Sequence, residues 1–141
     1  MMLSNAGYPS EADYSALRGL RVLLVEDSWH VGIALRNLLQ ALGADVAGPV
    51  ATAAEAERLI ADPPPDAALV DFNLRGGERP HGLIDHLHHL GVRVIVISGY
   101  TDVPVTPGKV AAILQKPISQ TKLLETLRPT VAPKEGPMPS E

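Results

Sequence analysis

The chain has 141 residues, 45 % hydrophobic and 20 % charged, enough for one buried core and too few for two of ordinary size. Its 12 basic and 16 acidic residues leave a formal charge of −4 with no basic cluster, so nucleic acid and anionic membranes find little to hold. The absence of cysteine excludes disulfides and thiolate chemistry, and the longest apolar runs, Val22 to Val25 and Val94 to Ile97, fall far short of the ~20 residues of a membrane helix. Met1 to Leu20 lacks the continuous apolar core of a signal peptide, so a soluble cytoplasmic protein is expected.

Short apolar runs alternate with amphipathic stretches, which predicts an α/β fold with a five-stranded parallel sheet, doubly wound. Leu20 to Val25 reads as a strand buried on both faces. Leu35, Leu38, Leu39 and Leu42 mark a helix that Ser28 caps and Gly43 ends. A second strand is expected around Ala44 to Gly48. Thr52-x-x-Glu55 then opens a helix running to about Asp62, where Pro63, Pro64 and Pro65 stop it. Ala67 to Val70 form the third strand and deliver Asp71 at its carboxyl end. Phe72 to Pro80 reads as a loop, and Leu83, Ile84, Leu87 and Leu90 give the third helix its apolar face before Gly91.

Val92 to Ile97 is the clearest strand. The following Thr101 to Val110 contains Pro104, Pro107 and Gly108, so a fourth helix there should not exceed one turn. Ala111 to Leu114 is the fifth strand, and Ser119 caps a last helix facing inward through Leu123, Leu124 and Leu127. The domain division expected is 1–19 as an N-terminal extension, with one extra turn near Ser10 to Leu17, 20–128 as the folded domain, and 129–141 as a mobile tail.

Polar residues gather after the strands. Glu26-Asp27 follow the first, Asp71 ends the third, Ser98 ends the fourth, and Lys116-Pro117 follow the fifth. In an open α/β sheet this is the edge where ligands bind. Three converging carboxylates repel unless a cation neutralises them, and an all-oxygen donor set with room for phosphate selects Mg²⁺. Asp27 and Asp71 are expected to coordinate directly, Glu26 through water, and Asn73 through its backbone carbonyl. Lys116 and Ser98 would neutralise charge on a phosphoryl group, because attack by a carboxylate on phosphorus depends on that neutralisation.

The Glu26-Asp27 pair, Asp71 in Ala-Leu-Val-Asp71-Phe-Asn-Leu, Ser98 in Val-Ile-Ser98-Gly-Tyr, and Lys116-Pro117 together resemble the receiver-domain signature of two-component response regulators, over about residues 20–128. The resemblance implies a flavodoxin-like receiver fold and a single-domain regulator. In it Asp71 accepts a phosphoryl group from a histidine kinase or histidine phosphotransfer protein, Lys116 pairs with it, Ser98 hydrogen-bonds it, and the Lys116-Pro117 peptide is cis. A downstream protein target is possible on the same grounds, with no nucleic acid, membrane or enzymatic output. Two features depart from the family pattern: Ile113 stands where receivers carry Phe or Tyr, and the proline-broken 101–110 segment replaces a regular fourth helix, as in a subset of receivers, and is expected to order on phosphorylation.

Rival readings stay open. A receiver-like scaffold could bind a partner without phosphorylation, through Ile113 and residues 101–110, and a phosphatase or phosphotransferase would need a second acid/base residue beside Asp71. His81, His86, His88 and His89 invite a zinc site, although histidines beside a leucine-rich helix face are more often merely exposed. Trp29 and His30 could approach the acidic pair, and Asn73 and Tyr100 are expected to border the phosphoryl pocket. Neither G-x-G-x-x-G nor G-x-x-x-x-G-K-[ST] occurs, which leaves nucleotide sites unsupported.

Overall fold

A computed structural model describes residues 14–61, 63–74, 79–99, 104 and 108–131. In chain order these residues form β1 (Arg21–Val25), α1 (Trp29–Ala41), β2 (Asp45–Val50), α2 (Ala53–Leu59), β3 (Ala67–Asp71), α3 (His81–His89), β4 (Arg93–Ser98), β5 (Ala112–Gln115) and α4 (Gln120–Leu127), which continues into a 3-10 turn at Arg128–Thr130. The strands make one parallel sheet in the order β2-β1-β3-β4-β5. This is the doubly wound, flavodoxin-like architecture that the alternation of apolar runs and amphipathic stretches implies. Strand order reverses between β1 and β3, and a crevice opens beyond their carboxyl ends.

Successive strand residues point to opposite faces, so each central strand feeds two layers. Val22 and Leu24 of β1, Leu69 of β3, and Ile95 and Ile97 of β4 pack with Leu35 and Leu39 of α1 and Leu123 and Leu127 of α4. Leu23, Val25, Val70, Val94 and Val96 point the other way, onto Ala56 of α2 and Leu83, Ile84 and Leu87 of α3. Each such aliphatic side chain gains roughly 1.5–3 kcal/mol from burial. Both faces being covered, the central strands tolerate polar residues only at their ends. Leu17 is fully buried in the first layer and its N–H donates to the Leu42 carbonyl at 2.8 Å, so packing begins ahead of β1.

Side-chain caps start the helices where the sequence places them. Ser28 Oγ accepts the Val31 N–H, Thr52 Oγ1 the Glu55 N–H and Ser119 Oγ the Lys122 N–H. Glu55 Oε1 reaches back to accept the Ala51 N–H at 3.0 Å, and that bond holds its carboxyl below the ordinary glutamate value.

Several boundaries differ from the sequence expectation: β1 begins one residue later, at Arg21, β3 runs one residue further, to Asp71, and β4 sits one residue later, at Arg93–Ser98. α2 ends at Leu59 rather than near Asp62, because Ile60 is already extended (ψ 117°). Arg21 straps the proline run to β1: its guanidinium donates to the carbonyls of Pro64 at 3.0 Å and Pro63 at 3.2 Å, and its N–H donates to Asp66 Oδ2. β2 runs on through Gly48 to Val50. The pairing with β1 slips between Leu23↔Ala47 and Val25↔Val50, and Gly48 absorbs the slip at φ +107°. β5 sits one residue later than expected, Ala112–Gln115, and the Ala111 N–H donates to the Val94 carbonyl ahead of it.

Of the expected short helix at 101–110, residues 101–103 and 105–107 lie outside the described residues, as do 10–13 of the expected N-terminal turn and 132–141 of the expected tail. No helix among the described residues is long and apolar enough to cross a membrane.

Candidate functional site

The polar strand ends meet at one place. Glu26 follows β1, Asp71 closes β3 and Ser98 closes β4, and all three are buried among the ends of apolar strands. Carboxylate oxygens of Glu26, Asp27 and Asp71 lie within 4.8 Å of one another. Lys116, the first residue after β5, enters from across the sheet. Its N–H donates to the Ser98 carbonyl at 2.8 Å, and its Nζ lies 3.2 Å from Glu26 Oε1 and 3.4 Å from Asp71 Oδ2. The Lys116-Pro117 peptide is cis.

Backbone donors hold the two buried carboxylates. The Ser28 N–H donates to Glu26 Oε2 at 3.1 Å and the Asn73 N–H to Asp71 Oδ1 at 3.0 Å. Burial pushes the Glu26 carboxyl up from its ordinary value; Asp71 adds to the rise, while the Ser28 N–H and Lys116 hold it back. For Lys116, burial works downward, but the charges of Glu26 and Asp71 outweigh it and leave the ammonium raised. Glu26 Oε1 is buried and receives no hydrogen bond in the structure, although the ammonium stands beside it. The site is thus a pocket of three carboxylates against one cation, an excess of negative charge that an added cation would offset.

No family model matches the sequence and a search of the curated proteins finds no match. Solved structures do match. The chain is similar to the signal receiver domain of a modulated diguanylate cyclase from Desulfovibrio desulfuricans G20, with 29 % identity, a TM-score of 0.68, and 79 % of this chain and 92 % of that one covered. It is also similar to SdrG from Sphingomonas melonis Fr1, with 28 % identity, TM-score 0.67 and coverage of 79 % and 95 %. A CheY-like receiver domain protein from Methanospirillum hungatei JF-1 matches at 25 % identity and TM-score 0.69, over 78 % of this chain and 91 % of that one.

The chain has the receiver fold of response regulators. That likeness supports a response-regulator role in two-component signalling. At the β5 edge of the sheet Ile113, at the position where the sequence departs from the receiver pattern, is 42 % exposed and lines a groove of about 480 Å³ with Pro117, Ile118 and Lys122. Trp29 does not pack into the core: it is 68 % exposed and borders a depression of about 260 Å³ lined by Glu26, Asp27, Pro49 and Glu55. His30 lines a separate apolar groove beside Val31, Leu38 and Ile118. Tyr100 lies outside the described residues.

Two of the four histidines of α3 have other partners. His86 Nδ1 meets Glu57 Oε1 at 2.7 Å, and His81 Nε2 meets the Pro104 carbonyl at 3.0 Å. The potential metal-binding group found among the described residues is the acidic one, without histidine. Arg79 is the side chain that sequence reasoning missed. It donates to Asn73 Oδ1 at 2.7 Å and stands 5.2 Å from the Phe72 ring centre. Nothing in the spacing signals this, because Arg79 returns to the site only after the loop that follows β3.

Proposed function

We propose that the chain is a phosphorylation switch in which Asp71 accepts a phosphoryl group in a Mg²⁺-dependent reaction, from a histidine kinase or histidine phosphotransfer protein in the cytoplasm, and signals through protein contacts. The observation that carries this reading is the convergence of three carboxylates within 4.8 Å, with a lysine ammonium 3.4 Å from the proposed acceptor.

The donor set fits Mg²⁺, since every candidate ligand is an oxygen and Glu26 Oε1 is a buried oxygen that receives no hydrogen bond. Glu26, Asp27 and Asp71 would hold the ion, with the Asn73 backbone carbonyl. Bound there, Mg²⁺ supplies the charge neutralisation that lets an anionic donor approach three carboxylates. The chain's own groups do the rest. An Asp71 oxygen forms the new bond to phosphorus while the bond from phosphorus to the donor nitrogen breaks, and the donor imidazole leaves with that electron pair. The Asn73 N–H, already on Asp71 Oδ1, fixes the direction of the carboxylate. Lys116, held by its N–H on the Ser98 carbonyl, offsets charge on the phosphoryl oxygens, and the hydroxyl of Ser98, the last residue of β4, would hydrogen-bond them.

Incubation with Mg²⁺ and acetyl phosphate, followed by intact mass, tests the reading. One phosphoryl adduct is expected on the wild type and none on Asp71→Asn. No adduct on either protein would overturn it in favour of a binding scaffold that uses exposed Ile113, and many turnovers per chain would mark an enzyme.

A further inference from the structure

The loop after Asp71 and the connection between β4 and β5 meet through one imidazole. Phe72 directly follows Asp71 and is 3 % exposed. Two side chains grip its ring. The Arg79 guanidinium stands 5.2 Å from the ring centre, and the His81 ring meets it edge-on, with centroids 5.4 Å apart and planes at 86°. Arg79 also donates to Asn73 Oδ1 at 2.7 Å, and the Asn73 N–H donates to Asp71 Oδ1 at 3.0 Å. On its other side His81 Nε2 lies 3.0 Å from the Pro104 carbonyl oxygen. A carbonyl only accepts, so Nε2 carries the proton and donates it. The five contacts form an unbroken series from the Asp71 carboxylate to Pro104, which lies between Ser98 and β5.

We infer that His81 is a positioning residue that transmits the state of Asp71 to Pro104, holding that carbonyl while Asp71 is unmodified and releasing it when Asp71 is phosphorylated. The inference rests on the phosphorylation reading above. Phosphorylation turns a singly charged carboxylate into an acyl phosphate with close to two negative charges, beside a loop in which the Arg79 guanidinium is engaged with a neutral amide oxygen. A guanidinium prefers phosphoryl oxygens to an amide oxygen, since charge-assisted bonds are roughly twice as strong as neutral ones. As Arg79 turns toward the phosphoryl group it leaves both Asn73 and the Phe72 ring. The ring is then free to shift, and His81, packed edge-on against it, moves off Pro104. The contact therefore differs between the two states, which is the condition for any coupling.

The experiment reads the Pro104 carbonyl ¹³C resonance with and without Mg²⁺ and beryllofluoride, a stable phosphoryl mimic whose binding is scored separately by ¹⁹F NMR. In the wild type the resonance is expected to move upfield on beryllofluoride binding, as the hydrogen bond is lost. His81→Phe keeps a ring against Phe72 and removes the donor; its Pro104 resonance should start at the released position and stay there, with beryllofluoride bound as in the wild type. His81→Gln, which keeps an N–H donor, should recover part of the hydrogen-bonded starting shift. A wild-type resonance that stays put with beryllofluoride bound, or a His81→Phe resonance that moves as far as the wild type's, overturns the inference alone. Absence of any bound ¹⁹F signal in the wild type overturns it together with the phosphorylation reading. His81 is exposed on the first turn of α3, and matching thermal unfolding of the variants separates transmission from a folding defect.

Discussion

A carboxylate 3 % exposed beside a second buried carboxylate ionises at a cost, and Glu26 stands in that relation to Asp71. Burial is the first cause of its raised pKa, with the Asp71 charge behind it. A raised folded value means that the native chain binds this proton more tightly than the unfolded one. The stability it contributes is fully present below the ordinary value of 4.5 and is lost as pH rises through the raised value. At neutral pH, without metal, the native state therefore bears the cost of an ionised Glu26. Glu26→Gln keeps the shape and removes the charge. It should raise the thermal midpoint of metal-free protein at pH 7, and the gain should vanish below about pH 4.5, where the wild type is itself protonated. Thermal scans in chelator at the two pH values check this; a variant less stable than wild type at pH 7 would mean that the attraction of Lys116 outweighs burial. Lys116 is raised as well, so its contribution holds below 10.5 and fades only as pH rises through its own folded value, outside the window of the Glu26 test.

At the scale of elements, the β1–β2 pair shows how much of the fold depends on one backbone position. Gly48 has φ +107°, and a Cβ built there would lie 2.4 Å from the Leu24 carbonyl oxygen, a backbone atom that cannot swing aside. α1 leans on the same turn, since a Cβ at Gly32 would lie 2.8 Å from Pro49 Cβ. Gly48→Ala should therefore destabilise the protein by about 2–4 kcal/mol, combining left-handed strain with the collision. Urea unfolding measures it, and a loss well under about 1 kcal/mol would show that β2 can repack without its bulge. This turn also explains what could not be read from the residues alone. β1, β3 and β4 were legible because apolar residues run without alternation where both sheet faces are covered. Gly48-Pro49, by contrast, reads locally as a strand end, and only its pairing to Val25 across the slip makes Val50 part of β2. The early end of α2 is likewise tertiary, set by Arg21 reaching the proline run from another strand.

At the scale of the whole molecule, the candidate site exists only in the folded chain. Its carboxylates come from the ends of β1 and β3 and its ammonium from beyond β5, so 90 residues separate Glu26 from the Lys116 that touches it. Each of these residues was legible in the sequence because a polar residue after a buried strand must emerge at the carboxyl edge. Arg79 and the His81–Pro104 contact were not, since they depend on how a loop returns. A ligand that binds only the assembled site stabilises the fold by RT ln(1 + [L]/Kd), about 2.7 kcal/mol at 100 times Kd. Trp29, the one tryptophan of the chain, borders the depression that Glu26 and Asp27 line, so it gives a local view of the same event. Millimolar Mg²⁺ should change Trp29 emission along a saturable curve and raise the thermal midpoint by several degrees, and the Kd from fluorescence should reproduce the Kd from the stability shift. Asp27→Asn should weaken both together. If emission saturates while the midpoint does not move, Mg²⁺ is binding the indole's surroundings without engaging the native acidic cluster, and the assignment of Glu26, Asp27 and Asp71 as its ligands fails.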